Sequence, residues 1–173
     1  MIDEILYTPE EIAEKLKITK GTVYEMIKRG DLDAHRMGKH LRISKSQFEI
    51  YLLKAKGYEN NYEANLIFEN EEIFAEIDSV KIQVNTELKG KVKVSIKPED
   101  IILSKDAFIS SARNVHKGIV SDIILNNNSA KVVINIGIPI VALITKKSLN
   151  ELNIEKGNEL YTIFKTMSVK VYK

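Results

Sequence analysis

The spacing of the apolar residues changes once along this chain, and that change limits its fold more than any other feature. Up to about residue 57 they recur at helical intervals between recognisable caps. From Ser79 onward they alternate, or run in short β-branched stretches, at residues 81–84, 91–97 and 131–136. Further stretches of strand character fall at 117–125, 139–145, 159–165 and 168–172, with a short helix expected at 148–152 before a turn at Lys156-Gly157-Asn158. Many short strands in so few residues predict a barrel with its one helix plugging an end.

Charge follows the same division. The net charge is only +2. Residues 17–45 nevertheless carry eight Lys/Arg (Lys17, Lys20, Lys28, Arg29, Arg36, Lys39, Arg42, Lys45) against Glu25, Asp31 and Asp33, whereas residues 58–78 carry seven acids and no Lys or Arg. The predicted organisation is therefore α+β in two domains. A mainly α winged helix-turn-helix is expected over 1–57, an acidic linker or first β element over 58–78, and an all-β barrel with one short helix over 79–173.

The helical part has legible punctuation. Thr8 can cap a helix that Pro9 opens, with Glu11 placed to close a capping box and Ile12, Ala13 and Leu16 on one face. Three residues later Thr19 can cap a second helix, with Val23, Met26 and Ile27 as its stripe and Gly30 as its stop. Two extended arms then flank Gly38-Lys39. Ser44 and Gln47 form a second capping-box pattern ahead of a helix whose Phe48, Tyr51, Leu52 and Ala55 share a face. This order of elements is that of a small winged unit. The run Tyr7-Thr-Pro-Glu-Glu-Ile-Ala-Glu-Lys-Leu16, with Thr22 to Leu32 and Arg36-Met-Gly-Lys-His-Leu-Arg-Ile43, resembles the excisionase-like, MerR-type helix-turn-helix. The turn is a departure from that pattern, carrying Lys17 where the family often has Gly. The resemblance implies a double-stranded operator DNA as partner. The second helix would present Lys20, Thr22, Tyr24, Lys28 and Arg29 to a major groove, and the hairpin would present Arg36, Lys39, His40 and Arg42 to the backbone or the adjacent minor groove. So small a unit binds weakly alone, so a homodimer over two half-sites is expected, with higher homo-oligomers open.

Chemistry in the second part is limited by what is missing. With no Cys and three His (His35, His40, His116) at unsuitable spacing, a metal centre is not expected. No nucleophile–base pair or nucleotide loop is recognisable, so the chain reads as a non-enzyme. Met1-Ile-Asp-Glu4 is unlike a signal peptide and no apolar run reaches membrane length, so a cytoplasmic location without membrane contact is expected.

Four blocks occur in order: Ser110-Ser-Ala-Arg-Asn-Val-His-Lys-Gly118, Ala142 to Ser148, Leu152 to Gly157, and Tyr161-Thr-Ile-Phe-Lys-Thr166. Together they resemble the Mop/TOBE domain, the molybdate- or tungstate-binding module of molbindins, molybdate-responsive regulators and molybdate-transporter ATPase tails, and the resemblance implies that the barrel is OB-like. Val94 to Lys105 further resembles the segment preceding it in those ATPases, although no P-loop is present. The resemblance implies that Ser111, Arg113, Thr145, Ser148 and Lys165 surround the oxyanion, that such sites lie between subunits, and that the bound species is a ligand rather than a resident cofactor. The residue types suit it. A fully deprotonated dianion only accepts hydrogen bonds, so hydroxyls, cations and amides at a helix start are its natural partners. Protonated phosphate would also need an acceptor carboxylate, which these blocks do not place among the contacts; sulfate is distinguished only by size. Taken singly, Thr145 and Ser148 would also serve merely as caps, and Arg113 and Lys165 as solvated charges. His116 reads as a half-buried packing residue. The functional expectation is a one-component transcription regulator sensing molybdate or tungstate. The alternative is an oxyanion-binding or storage protein whose N-terminal unit serves assembly.

Overall fold

The computed structural model describes residues 4–173 and divides after Tyr58 into two compact units. The first opens with a two-residue strand β1 (Leu6–Tyr7), followed by helices α1 (Pro9–Leu16) and α2 (Lys20–Arg29). Strands β2 (His35–Met37) and β3 (His40–Ser44) form the hairpin, and α3 (Lys45–Ala55) closes the unit. The caps are those read from the sequence. Thr8 and Glu11 exchange bonds across the first turn of α1, Thr19 accepts the Thr22 amide, and Ser44 and Gln47 form the second box. Lys17 ends α1 in the left-handed conformation (φ 55°, ψ 44°) that the family's glycine would favour, and its amide returns to Ala13 and Glu14. Ile12, Val23, Met26, Leu32 and Ile43 make the core, with Phe48 and Tyr51 packed on it. The other two members of the apolar face predicted for α3 behave differently: Leu52 is half-buried and Ala55 exposed. Strand β1, which pairs Leu6 with Ser44, was not anticipated.

Of the two alternatives for residues 58–78, an acidic linker or a first β element, the structure has the second: β4 (Asn60–Glu69) and β5 (Glu72–Ile77) are integral strands of a second unit that begins at Glu59 rather than Ser79. Their acids fall at exposed or half-buried positions, with Glu63 opposite Lys93, Glu76 opposite Lys81 and Glu69 paired with Lys81 at 2.8 Å. Strands β6 (Val80–Val84) and β7 (Lys91–Ile96) follow, then a 3₁₀ turn at Pro98–Asp100 and the short β8 (Ile102–Ser104). The remainder is β9 (Asn114–Leu125), β10 (Ser129–Asn135), β11 (Pro139–Thr145), α4 (Lys146–Glu151) and β12 (Glu159–Phe164). A 3₁₀ turn at Thr166–Ser168 leads into β13 (Val169–Tyr172).

These strands form two antiparallel five-stranded sheets, in the orders β13-β7-β4-β5-β6 and β8-β12-β9-β10-β11, around one core. The registers show that the unit is an internal duplication. Asn60 at the start of β4 lies opposite Ile96, as Asn114 at the start of β9 lies opposite Phe164. Both β7 and β12 lead through a 3₁₀ turn into a last strand that crosses to the other sheet. The two asparagines join the sheets reciprocally. Asn60 Nδ2 donates to Val141 O (2.8 Å) and its Oδ1 accepts from Val141 N (2.7 Å); Asn114 makes the same pair with Gln83 O (3.0 Å) and N (2.8 Å). Each side-chain amide thus acts as one further peptide unit at a sheet junction, and both are buried. The halves differ in one connection. β11 and β12 are joined through α4, which packs on β10 and β11, whereas residues 85–90 join β6 to β7 without a helix.

Candidate functional site

In the first unit, α2 buries Val23 and Met26 and thereby turns Lys20, Thr22, Tyr24, Lys28 and Arg29 to solvent. Lys20 pairs with Glu10 and lies 5.6 Å from the Tyr24 ring centre; Arg29 pairs with Asp31 at 3.1 Å. The Glu10 carboxylate holds the Lys20 ammonium pKa above its ordinary value. These are exposed pairs, which water screens and a phosphate can displace at little cost. Arg36, Lys39 and His40 on the hairpin are exposed. Arg42 is half-buried, with Nη1 donating to the Leu41 carbonyl at 2.8 Å. The exposed Met37 completes the hairpin tip.

In the second unit the five residues expected around an oxyanion fall into two groups. Ser111 and Lys165 line one pocket of about 410 Å³, on the segment entering β9 and the residue leaving β12. Ser110 and Ser168 add hydroxyls to it, and Arg113 stands exposed two residues after Ser111. Thr145 and Ser148 are elsewhere. Thr145 is opposite Ser129, beyond the last residue of β9, whereas Lys165 follows Phe164, which is opposite the first. Over twelve residues of strand the groups are separated by on the order of 35 Å along β9, too far for one small ion to touch both.

Thr145 and Ser148 bond to one another. The Ser148 amide donates to Thr145 Oγ1 at 3.0 Å and the two hydroxyls lie 2.9 Å apart. Because α4 has only six residues and its Ser148 amide is already capped, the donors at this end are side-chain hydroxyls rather than a free helix N-terminus. The pocket also departs from expectation. Glu99 and Asp100, from the 3₁₀ turn after β7, line it beside Ser111 and Lys165, so the cavity also holds acceptors of the kind a protonated oxyanion needs. Neither carboxylate nor the asparagine pair was read as functional from the sequence. The signal was present: Asn60-x-x-x-Ala64 and Ile96-Lys97 foreshadow Asn114-x-x-x-Gly118 and Phe164-Lys165.

His116 is half-buried and stacks on Phe164 at 5.9 Å, and burial holds its pKa below the ordinary value. Its Nε2 and the Thr166 hydroxyl lack hydrogen-bond partners. Among the described residues, no helix is long and apolar enough to cross a membrane.

Comparison with known proteins finds matches in both units. Residues 6–56 match the helix-turn-helix domain family and residues 110–171 the TOBE domain family. The chain is 41% identical over 98 residues to the molybdate/tungstate import ATP-binding protein WtpC of Pyrococcus abyssi, and 38% identical over 97 residues to that of Pyrococcus horikoshii. Each match covers 56% of this chain and 28% of the relative, so the chain spans little more than a quarter of these proteins. A 45-residue stretch is 44% identical to the uncharacterized protein YvgK of Bacillus subtilis, covering 26% of this chain and 15% of that protein. In fold, the chain is similar to the molybdate-bound crystal form of the cytoplasmic molybdate-binding protein ModG. The TM-score is 0.58 at 20% identity, over 65% of this chain and 94% of that one.

Proposed function

We propose that a chain joining a helix-turn-helix domain to a TOBE domain of ModG-like fold is a one-component transcription regulator: the first unit binds operator DNA, and the second binds molybdate or tungstate. The observation that carries this reading is the division of the hydroxyl and cationic groups between the two ends of β9. Ser111, Arg113 and Lys165 offer a hydroxyl and two positive charges at one end; Thr145 and Ser148 offer hydroxyls at the other. A tetrahedral dianion that needs donors on all sides is satisfied when one chain supplies the first group and a neighbouring copy the second. Two-fold pairing does this twice, since antiparallel strands bring opposite ends together. The bound oxyanion then ties copies to one another, and the separation of their DNA-reading units changes with occupancy. A half-site spacing of about 34 Å, one turn of duplex, is what such a pair would read through its α2 helices.

The exposed cations of α2 and the hairpin support the DNA half of the proposal, with Thr22 and Tyr24 toward bases and Lys28, Arg29, Arg36 and Lys39 toward phosphates. The test is anisotropy titration of the DNA upstream of the chain's own gene, with and without molybdate. An Arg36→Ala, Arg42→Ala variant is expected to weaken binding and to reduce the salt slope by about two. Calorimetry with molybdate, tungstate, sulfate and phosphate is expected to give binding that Arg113→Ala, Lys165→Ala removes. Retained oxyanion binding by that variant sinks the site. Oxyanion binding with no DNA affinity would leave a binding or storage protein in place of a regulator.

A further inference from the structure

We propose that the duplicated second unit builds its oxyanion site once per chain, from its second half alone, and that the first half is a charge-neutralised copy that excludes the ion. The proposal rests on the oxyanion reading above and deepens it.

The duplication makes the comparison residue by residue. Asn60 and Asn114 occupy matching positions, each opening the central strand of its sheet and each clamped to the edge strand of the other half. Counting from these anchors, Lys165, which follows Phe164, corresponds to Lys97, which follows Ile96. Arg113, immediately before Asn114, corresponds to Glu59, immediately before Asn60. Ser111 lies three residues before Asn114; three residues before Asn60 the chain carries Gly57, which belongs to the first unit and has no hydroxyl. The formal charge of the two matching positions is therefore +2 in the second half and zero in the first. Glu59 Oε2 is fixed by a bond from Asn61 Nδ2 at 2.9 Å, so this carboxylate is an ordered acceptor. A dianion at that position meets a like charge in place of a guanidinium.

The other end of the site is reduced as well. In the second half, Thr145 and Ser148 belong to the long connection between β11 and β12. In the first half the matching connection is residues 85–90, which carries no helix and a single hydroxyl, Thr86, whose Oγ1 accepts the Leu88 amide at 3.1 Å. The shorter connection also leaves the sheet beneath it open. By register, Leu66 and Ile73 match Val120 and Val132; the former are half-buried, the latter 2% and 0% exposed. Phe68, at the end of β4, is 72% exposed. The first half thus keeps one lysine, Lys97, and one hydroxyl, Thr86, but lacks the guanidinium and both serines, and every ligand-bridged contact joins second half to second half.

The stoichiometry tests this on the full chain. Calorimetry and native mass spectrometry with molybdate are expected to give one ion per chain. Arg113→Ala should abolish binding, while Lys97→Ala leaves number and affinity unchanged within about twofold. Two ions per chain, or a Lys97→Ala variant that loses half of them, overturns the single-site assignment while leaving the oxyanion reading intact. No binding by the unsubstituted chain removes both. A ratio below one per chain overturns this proposal alone.

Discussion

Replacing Asn60 by alanine is expected to cost the second unit about 3 kcal/mol. The side chain is 1% exposed and its amide does the work of a peptide bond between two sheets, giving to Val141 O at 2.8 Å and taking from Val141 N at 2.7 Å, with a further bond to Ile96 O at 3.1 Å. Alanine leaves the Val141 N–H and C=O facing a small void. An unsatisfied buried donor or acceptor costs about 1–3 kcal/mol, the donor more completely than the carbonyl. Against a total stability of about 5–15 kcal/mol this is a large fraction. For a unit of this size it lowers the melting temperature by roughly 10 °C. Far-UV circular dichroism in heat and urea measures the loss, and amide exchange at Val141 localises it. Asn60→Asp is the informative control. It keeps an acceptor for Val141 N–H but sets a carboxylate against two carbonyls, so it should be at least as destabilised at neutral pH and recover as acid protonates it. A loss under about 1 kcal/mol in the alanine variant, or an aspartate variant matching the original, refutes the idea that this amide is a structural clamp.

The duplication extends the prediction to Asn114→Ala, whose loss should fall within about 1 kcal/mol of that of Asn60→Ala, since each deletes one such pair. Gly118→Ala should also be severe. Its Cβ would lie 2.5 Å from the Asn135 carbonyl oxygen and 2.7 Å from Ile134 Cγ2, so backbone must move, at a cost of about 2–3 kcal/mol in the same unfolding assay. His116→Leu is expected to stabilise. It removes the unpartnered Nε2, and it removes a proton linkage whose sign follows from the lowered pKa. As pH falls through 6.5 the unfolded chain takes up the proton before the folded one, so stability present above 6.5 is lost toward the folded value. The variant's advantage should therefore grow between pH 7 and pH 5, and urea midpoints across that range that run parallel to the parent's would contradict it.

Much of the first unit was legible because its determinants are local. Thr8 with Glu11, Thr19, and Ser44 with Gln47 each act within one helical turn, so the sequence reading and the observed caps coincide. Lys17 is the exception: a lysine gives no local sign of a left-handed residue, and the conformation follows from where α2 must start. The strands from β6 onward were likewise readable by alternation, except for the three-residue β8. Strands β4 and β5 were left between linker and β element because Glu and Asn discourage a strand assignment on composition. What makes them strands is backbone pairing with β7 and β6 and the burial of Ala64, Ala75 and Ile77 in the core, which local composition does not reveal.

The candidate site divides in the same way. Composition and motif pointed to hydroxyls and cations, because residue type alone decides what can be donated, but not to the two carboxylates that share the pocket. They also fixed that one part of the chain is helical and capped and the other built of strands. Tertiary structure decided the rest: the exchange of β8 and β13 between sheets, the separation of Thr145 and Ser148 from Ser111 and Lys165, and the approach of Glu99 and Asp100 to the same pocket. The physical reason is that a two-residue side-chain period says which face of a strand is buried and nothing about which strand lies beside it; that choice is made by long-range backbone pairing and by buried amides such as Asn60 and Asn114 that must find partners.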